Sequence, residues 1–233
     1  GIVDPVDDFR STNPPTHPEL LAALATDFRE HGHDLRHLMK TIVRSRTYQL
    51  SHRPNPANRD DVVNYSRSLS RALDAEVLLD AVVAVTGVPE TFSTAVTEGS
   101  ATGHAPAGTR AINLKDPDMY YSRFLELYGR PSRGAIPERD AKPSLGQALH
   151  MLAGSGYVDR LSSKDSRLQR LIASGSSDTR IFEDFYLAAL GRAPDPGEVE
   201  ELNKVVSRRG DREAALREFV WALISSREFS ENH

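Results

Sequence analysis

Apolar side chains along this chain recur three and four positions apart, and sustained alternation two apart is missing. That period predicts amphipathic helices rather than half-buried strands. Leu20, Leu21, Leu24 and Phe28 make the first stripe. A Thr16/Glu19 capping box with Pro18 in the first turn opens it, and Gly32 closes it. Asp34 caps a second helix carrying Leu35, Leu38, Met39, Ile42 and Val43. The connection is short, so these two helices should pack side by side. Residues 52–61 are turn-rich, and a short helix is predicted over 62–69. Asp74 then caps a helix from Ala75 to Thr86, with Leu78, Leu79, Val82 and Val83 buried and Gly87 as its stop.

The pattern breaks over residues 88–115, which are rich in Thr, Ala, Gly and Pro. A connection of that length reads as a functional loop or a linker. Residues 88–109 offer little apolar area to offset ordering entropy, so they are expected to be the most mobile internal segment. Helices resume at Asp116 and Pro117, with Tyr120, Phe124, Leu125 and Tyr128 facing inward. A second loop spans 130–142. Pro143 opens a helix carrying Leu145, Leu149 and Leu152, and another runs over 165–173. The last third is the clearest, with three helices capped by Asp178, Asp195 and Asp211. Their core is expected around Phe185, Tyr186, Leu202 and Trp221. The fold class is therefore all-α. The expected architecture is a compact orthogonal or antiparallel helical bundle with two long irregular loops and a three-helix C-terminal unit. Residues 1–87 read as an N-terminal helical part led by an ordered extended segment, 88–115 as loop or linker, and 116–233 as a C-terminal helical part continuous with the first.

Composition narrows the function classes. Of 233 residues, 39% are hydrophobic and 27% charged, which is globular rather than disordered. The formal net charge of −4 argues against nucleic acid, which requires a basic face. No apolar run approaches the ~20 residues of a membrane span. The absence of cysteine excludes disulfides, thiolate zinc, iron–sulfur clusters and covalent haem attachment within this chain. No cofactor is implied. The opening GIVDPVDDFRSTNPP is charged, rigid with proline and free of periodicity, so the chain is expected to start at an internal point of a longer protein.

Four groups of residues carry candidate chemistry. Asp4, Asp7 and Asp8, with Arg10 beside them, could supply acid and base to glycoside chemistry or oxygen ligands to calcium. Their bland reading is turn capping and ion pairing, with at least one of these carboxylates bonded to Arg46 or another buried arginine. Arg46 and Tyr48 lie in a polar stretch ending the second helix and could extend that surface. Arg110, Arg133 and Arg139 fall on the two loops and could clamp an anionic group, although solvated loop charge is the favoured reading. His33 and His37 stand four apart, a spacing that would align two imidazoles on a helix. His31 is close by. Asp34 begins the helix, however, and leaves His33 outside it, so surface histidines are favoured over a metal site. No nucleophile elbow, phosphate-cradling loop or dinucleotide fingerprint is present.

Six segments carry a likeness: GIVDPVDDFRSTNPPTHPELLAAL, TIVRSRTYQLS, LDAEVLLDAVVAVTGVP, SLGQALHML, LYGRP and FVWALISSREFSENH. Together, and in this order, they resemble domain-of-unknown-function family 1553, a planctomycete-type, cytochrome-associated C-terminal domain. The resemblance implies an exported multidomain protein, with a cytochrome c-like region and a second domain preceding this one. It implies no established activity. Many members carry a cysteine-containing stretch before a Glu-Arg pair, whereas this chain keeps Glu138 and Arg139 without cysteine. On these grounds the chain is expected to be an uncharacterised helical interaction or scaffold module packing on the preceding domain, in an extracytoplasmic (periplasmic or secreted) setting. The alternatives are part of a polysaccharide-acting enzyme and an accessory that positions the cytochrome c-like region.

Overall fold

The computed structural model describes residues 2–5, 7–94, 103–114, 119–131 and 144–232. The chain divides into two compact units, residues 1–71 and residues 72–232. The described residues are mostly helical, as the periodicity predicts, with only two-residue strands besides. No described helix is long and apolar enough to cross a membrane.

The first unit is built on a helical hairpin, α1 (Pro18–Glu30) and α2 (Leu35–Arg44). Pro18 takes the first turn of α1, but His17 rather than Thr16 is the cap, and its side chain makes no capping bond. Thr16 faces the other way: its amide and its Oγ1 both donate to the Ile2 carbonyl, at 2.8 and 3.1 Å. Asp34 caps α2, accepting from the amides of Arg36 and His37. Neither helix buries a residue. Leu35 and Met39 are 64% and 60% exposed, and Ile42 and Val43 are exposed beside them. Among the described residues of this unit only Val3 is a buried apolar side chain.

The helix predicted over 62–69 is absent. Asp61 instead accepts from the amides of Val63, Asn64 and Ser66 and from the Ser66 hydroxyl. Tyr65 takes a left-handed φ of 54°. A carboxylate that captures successive amides offers the backbone an alternative to helix, and here the alternative wins. Those donors, the Ser66 hydroxyl foremost, hold the Asp61 carboxyl well below the ordinary carboxylate range.

The second unit holds the hydrophobic core. Helix α3 (Ala75–Thr86) runs over the span predicted for it and ends at Gly87 in the left-handed conformation. It buries Leu78, Leu79, Val82 and Val85. A short α4 (Arg123–Leu127), capped by Ser122, adds Phe124 and Leu125. Helix α5 (Leu145–Ala153) carries a full capping box from Ser144 and Gln147. Its Leu145, Leu149 and Leu152 are exposed. Helix α6 (Ser155–Ser162) is an element the periodicity does not predict. Gly154 ends α5 and caps α6 at one corner, where an added Cβ would sit 2.4 Å from the His150 carbonyl oxygen. Tyr157 and Leu161 of α6 are buried.

Helix α7 (Arg167–Ala173) is capped by Ser166. Helix α8 (Asp178–Leu190) is capped by Ser177, one residue before the predicted Asp178, and stops at Gly191. Helix α9 (Pro196–Arg209) has the predicted Asp195/Glu198 capping box. It lies at the margin, with Leu202 half-buried and Val205 exposed. Helix α10 (Arg212–Ile224) is the central strut and packs on α6, α7, α8 and α9. It buries Leu216, Phe219, Val220, Leu223 and Ile224. Phe182 and Phe185 meet Phe219 edge-on at 5.0 and 6.2 Å, and Tyr186 stacks on it at 6.1 Å. A short α11 (Arg227–Ser230) buries Phe229.

The described parts of the long loop are tied to this core, against the expectation of mobility over 88–109. Phe92 is buried, and the Ala105 amide donates to its carbonyl at 2.9 Å. Ser93 and Thr94 pair antiparallel with Tyr121 and Tyr120. Residues 95–102 and most of the second loop, 132–142, lie outside the described residues.

Candidate functional site

The opening segment is ordered by its own polar groups. The Asn13 side-chain amide donates to the carbonyls of Asp4 and Asp8, at 3.1 and 3.0 Å. Asp8 receives a two-point bond from Arg10, Nε to Oδ1 at 2.7 Å and Nη2 to Oδ2 at 2.5 Å. That guanidinium holds the Asp8 carboxyl below its usual range. The expected buried arginine is thus replaced by a near neighbour on the surface, because a residue two positions along reaches the carboxylate without ordering a distant side chain. Arg46 and Tyr48 are exposed and do not join Asp8. Asp4 and Asp7 are exposed as well.

The loop arginines fare differently from one another. Arg110 is engaged: its Nε lies 3.3 Å from Oδ2 of Asp80. Asp80 stands on the largely apolar α3 and also accepts from the amides of Ala111 and Ile112, at 2.7 and 3.2 Å. A buried carboxylate needs such partners, and here it pins the loop to the core. Arg133 and Arg139 lie outside the described residues, so no common arginine clamp is described.

Among the described residues, the densest constellation of ligand-type side chains lies at the α1–α2 hairpin. Asp27 sits in the last turn of α1, His31 is the residue that ends it, and His37 lies in the first turn of α2. The helical spacing of four brings Asp27 under His31, and the hairpin folds His37 back over both. His37 Nε2 is 3.0 Å from Oδ2 of Asp27, and His31 Nδ1 is 3.3 Å from Oδ1. His31 Nδ1 also bonds the Asp27 carbonyl at 2.8 Å, and Thr41 Oγ1 lies 3.4 Å from His37 Nε2. The two imidazoles stack at 3.7 Å between centroids, 13° from parallel. One donor atom from each of the three residues lies within 4.8 Å of the other two.

His33 is not part of this group. It adopts a left-handed φ of 63° in the turn, and its ring meets Phe28 edge-on at 5.2 Å. So the structure keeps His37 of the predicted pair and exchanges His33 for His31 and Asp27. The signal was available as Asp-x-x-x-His at the end of the first stripe, which is the same helical spacing applied one turn earlier.

A second cluster, which the sequence did not suggest, lies inside the other unit. Phe124, Tyr128, His150 and Tyr157 pack ring on ring, with Phe124 and Tyr128 stacked at 4.5 Å. The Tyr128 and Tyr157 hydroxyls are 3.3 Å apart. Burial pushes both phenols up, Tyr157 further than Tyr128. Burial first, then Arg123 and Arg160, pushes the His150 imidazole down and favours its neutral form. Arg160 is buried and donates to Glu90 at 2.6 Å. These contacts join α4, α5 and α6 and account for the cluster as core.

Comparison with known proteins gives one result. A family model described as a protein of unknown function (DUF1553) matches residues 1–206. No curated protein and no solved structure matches the chain.

Proposed function

The chain belongs to the DUF1553 family, and from that membership we propose that it is an interaction module whose first unit docks on a neighbouring protein domain. One observation carries the reading. Leu35, Met39, Ile42 and Val43 recur along one side of α2, and all four are exposed in a unit that buries a single apolar side chain among its described residues. An apolar stripe of that kind is favoured on a surface only where something covers it. The occupant proposed is a preceding domain of the same multidomain protein, in the exported, extracytoplasmic setting that the family resemblance implies. Positioning a cytochrome c-like region would be one form of that role.

The polysaccharide-acting alternative is less well supported. Of the three carboxylates proposed for it, Asp8 is ion-paired and held ionised by Arg10, which suits a structural pair rather than a general acid.

The test supplies the neighbouring domain in trans and measures its binding to this chain by calorimetry. Leu35→Asp with Met39→Asp should weaken the complex by about tenfold or more, since burying an unpaired carboxylate in an apolar contact costs well over the ~1.4 kcal/mol of a tenfold change. Equal binding by the double variant, or binding of a polysaccharide with no protein partner, would overturn the proposal.

A further inference from the structure

We propose that Asp27, His31 and His37 form a three-ligand site for a divalent transition-metal ion, with Zn²⁺ the best chemical match, and that this ion clamps the α1–α2 hairpin. The inference is independent of the docking surface proposed for α2.

The donor set is the first argument. Two imidazoles, donors of borderline softness, with one carboxylate make a mixed nitrogen–oxygen set that suits Zn²⁺ better than Mg²⁺ or Ca²⁺, whose sites are built from oxygen alone. Geometry is the second. Bonds of about 2.0–2.1 Å to a tetrahedral ion place neighbouring ligand atoms roughly 3.3 Å apart. His37 Nε2 and Oδ2 of Asp27 are 3.0 Å apart, and His31 Nδ1 and Oδ1 are 3.3 Å apart. The side chains of Asp27, His31 and His37 are 31%, 48% and 33% exposed, so an ion and a water in the fourth position can enter.

Binding requires two adjustments that exposed side chains can make. His31 must release its bond to the Asp27 carbonyl. The two stacked rings must also fan apart so that their lone pairs converge on the ion.

The third argument is energetic. A unit of some seventy residues that, among its described residues, buries only Val3 of its apolar side chains has little of the core that ordinarily holds a small domain together. Small units in that position gain stability from staples, and a metal joining the end of one helix to the start of the next is one of them.

The experiment is Zn²⁺ titration of the whole chain after chelator treatment and removal of any histidine tag. It is followed by calorimetry and by the histidine ring resonances in NMR. A single Zn²⁺ should bind at micromolar concentration or below, shifting the His31 and His37 signals and leaving His33 unmoved. Asp27→Asn, His31→Gln and His37→Gln should each weaken binding about tenfold or more, whereas His33→Gln should not. Circular dichroism of each variant checks that the helices are retained. Co²⁺ substituted for Zn²⁺ gives a second readout through its visible absorption. The proposal is overturned if the folded wild type takes up no Zn²⁺ at these concentrations. It is equally overturned if the His31 and His37 variants bind as the wild type does, or if His33→Gln is the one that fails.

Discussion

At the scale of single residues, the most consequential polar group outside the hairpin is Arg192. Its guanidinium bonds both oxygens of Glu198, each at 2.9 Å, and both oxygens of Glu228, at 2.7 and 2.9 Å. It also lies over the Tyr186 ring, 5.1 Å from the centroid. Glu198 serves twice, because it accepts from the Asp195 amide as the second half of the α9 capping box. Arg192 above all lowers the Glu198 carboxyl from an ordinary 4.5 to about 2. Burial first, and Glu198 next, pushes the Tyr186 phenol up to about 12. The sign for stability follows from the depressed carboxyl. Its contribution is complete above about 4.5 and is lost as the pH falls toward 2. Glu198→Gln should therefore lower the melting temperature at neutral pH and flatten its decline between those two pH values. Equal acid slopes in the two proteins would place the acid sensitivity elsewhere.

At the scale of elements, caps and stops account for where the helices of the second unit begin and end. Ser122, Ser144, Ser166, Ser177, Asp195, Asp211 and Ser226 each accept a bond from an amide in the first turn. Trp221 of α10 is half-buried, and its indole Nε1 donates to the Met151 carbonyl in α5 at 2.8 Å. A fully buried aromatic replaced by alanine usually costs ~3–5 kcal/mol. Trp221 keeps one edge in water, so Trp221→Ala should cost about 2–3 kcal/mol by the same reasoning. Trp221→Phe keeps most of the packing and leaves the carbonyl without its donor, for roughly 1 kcal/mol. Chemical denaturation of the two variants separates these contributions. An unfolding midpoint unchanged by Trp221→Ala would remove α10–α5 contact from the list of stabilising joints.

At the scale of the molecule, the two units contrast in what holds them. The second has a core running from α3 to α11, centred on α10. The first relies on side-chain and backbone hydrogen bonds, notably those to Asp61 and from Asn13. The family match ends at residue 206, inside α9 and before α10. A chain stopped there would lose Leu216, Phe219, Val220, Leu223 and Ile224, all buried. Five such side chains represent roughly 7–15 kcal/mol of burial, which is comparable to the ~5–15 kcal/mol that stabilises a typical domain. Truncation after Val206 should therefore abolish cooperative thermal unfolding, as followed by circular dichroism. A cooperative transition in the truncated protein would mean that α10 is dispensable to the core.

What the sequence by itself determined is the local grammar. Periodicity and caps gave the all-helical class and located α2, α3, α9 and α10, because hydrogen bonds within a turn or two decide where a helix starts and stops. The aromatic core of Phe185 and Tyr186 was legible for the same reason. Tertiary structure decided which apolar faces are covered. The stripes on α2 and α5 look as core-like in sequence as that of α10, yet Leu35, Met39, Leu145, Leu149 and Leu152 are exposed, since burial depends on a neighbour that periodicity does not reveal. Tertiary structure also chose the partners of charged groups. Asp8 took Arg10, and Asp80 took the amides of Ala111 and Ile112. The hairpin turn, finally, put His33 at a positive φ and brought His31 and Asp27 to His37. Ligand geometry is set by how two helices fold back on each other, and no spacing within one of them can specify it.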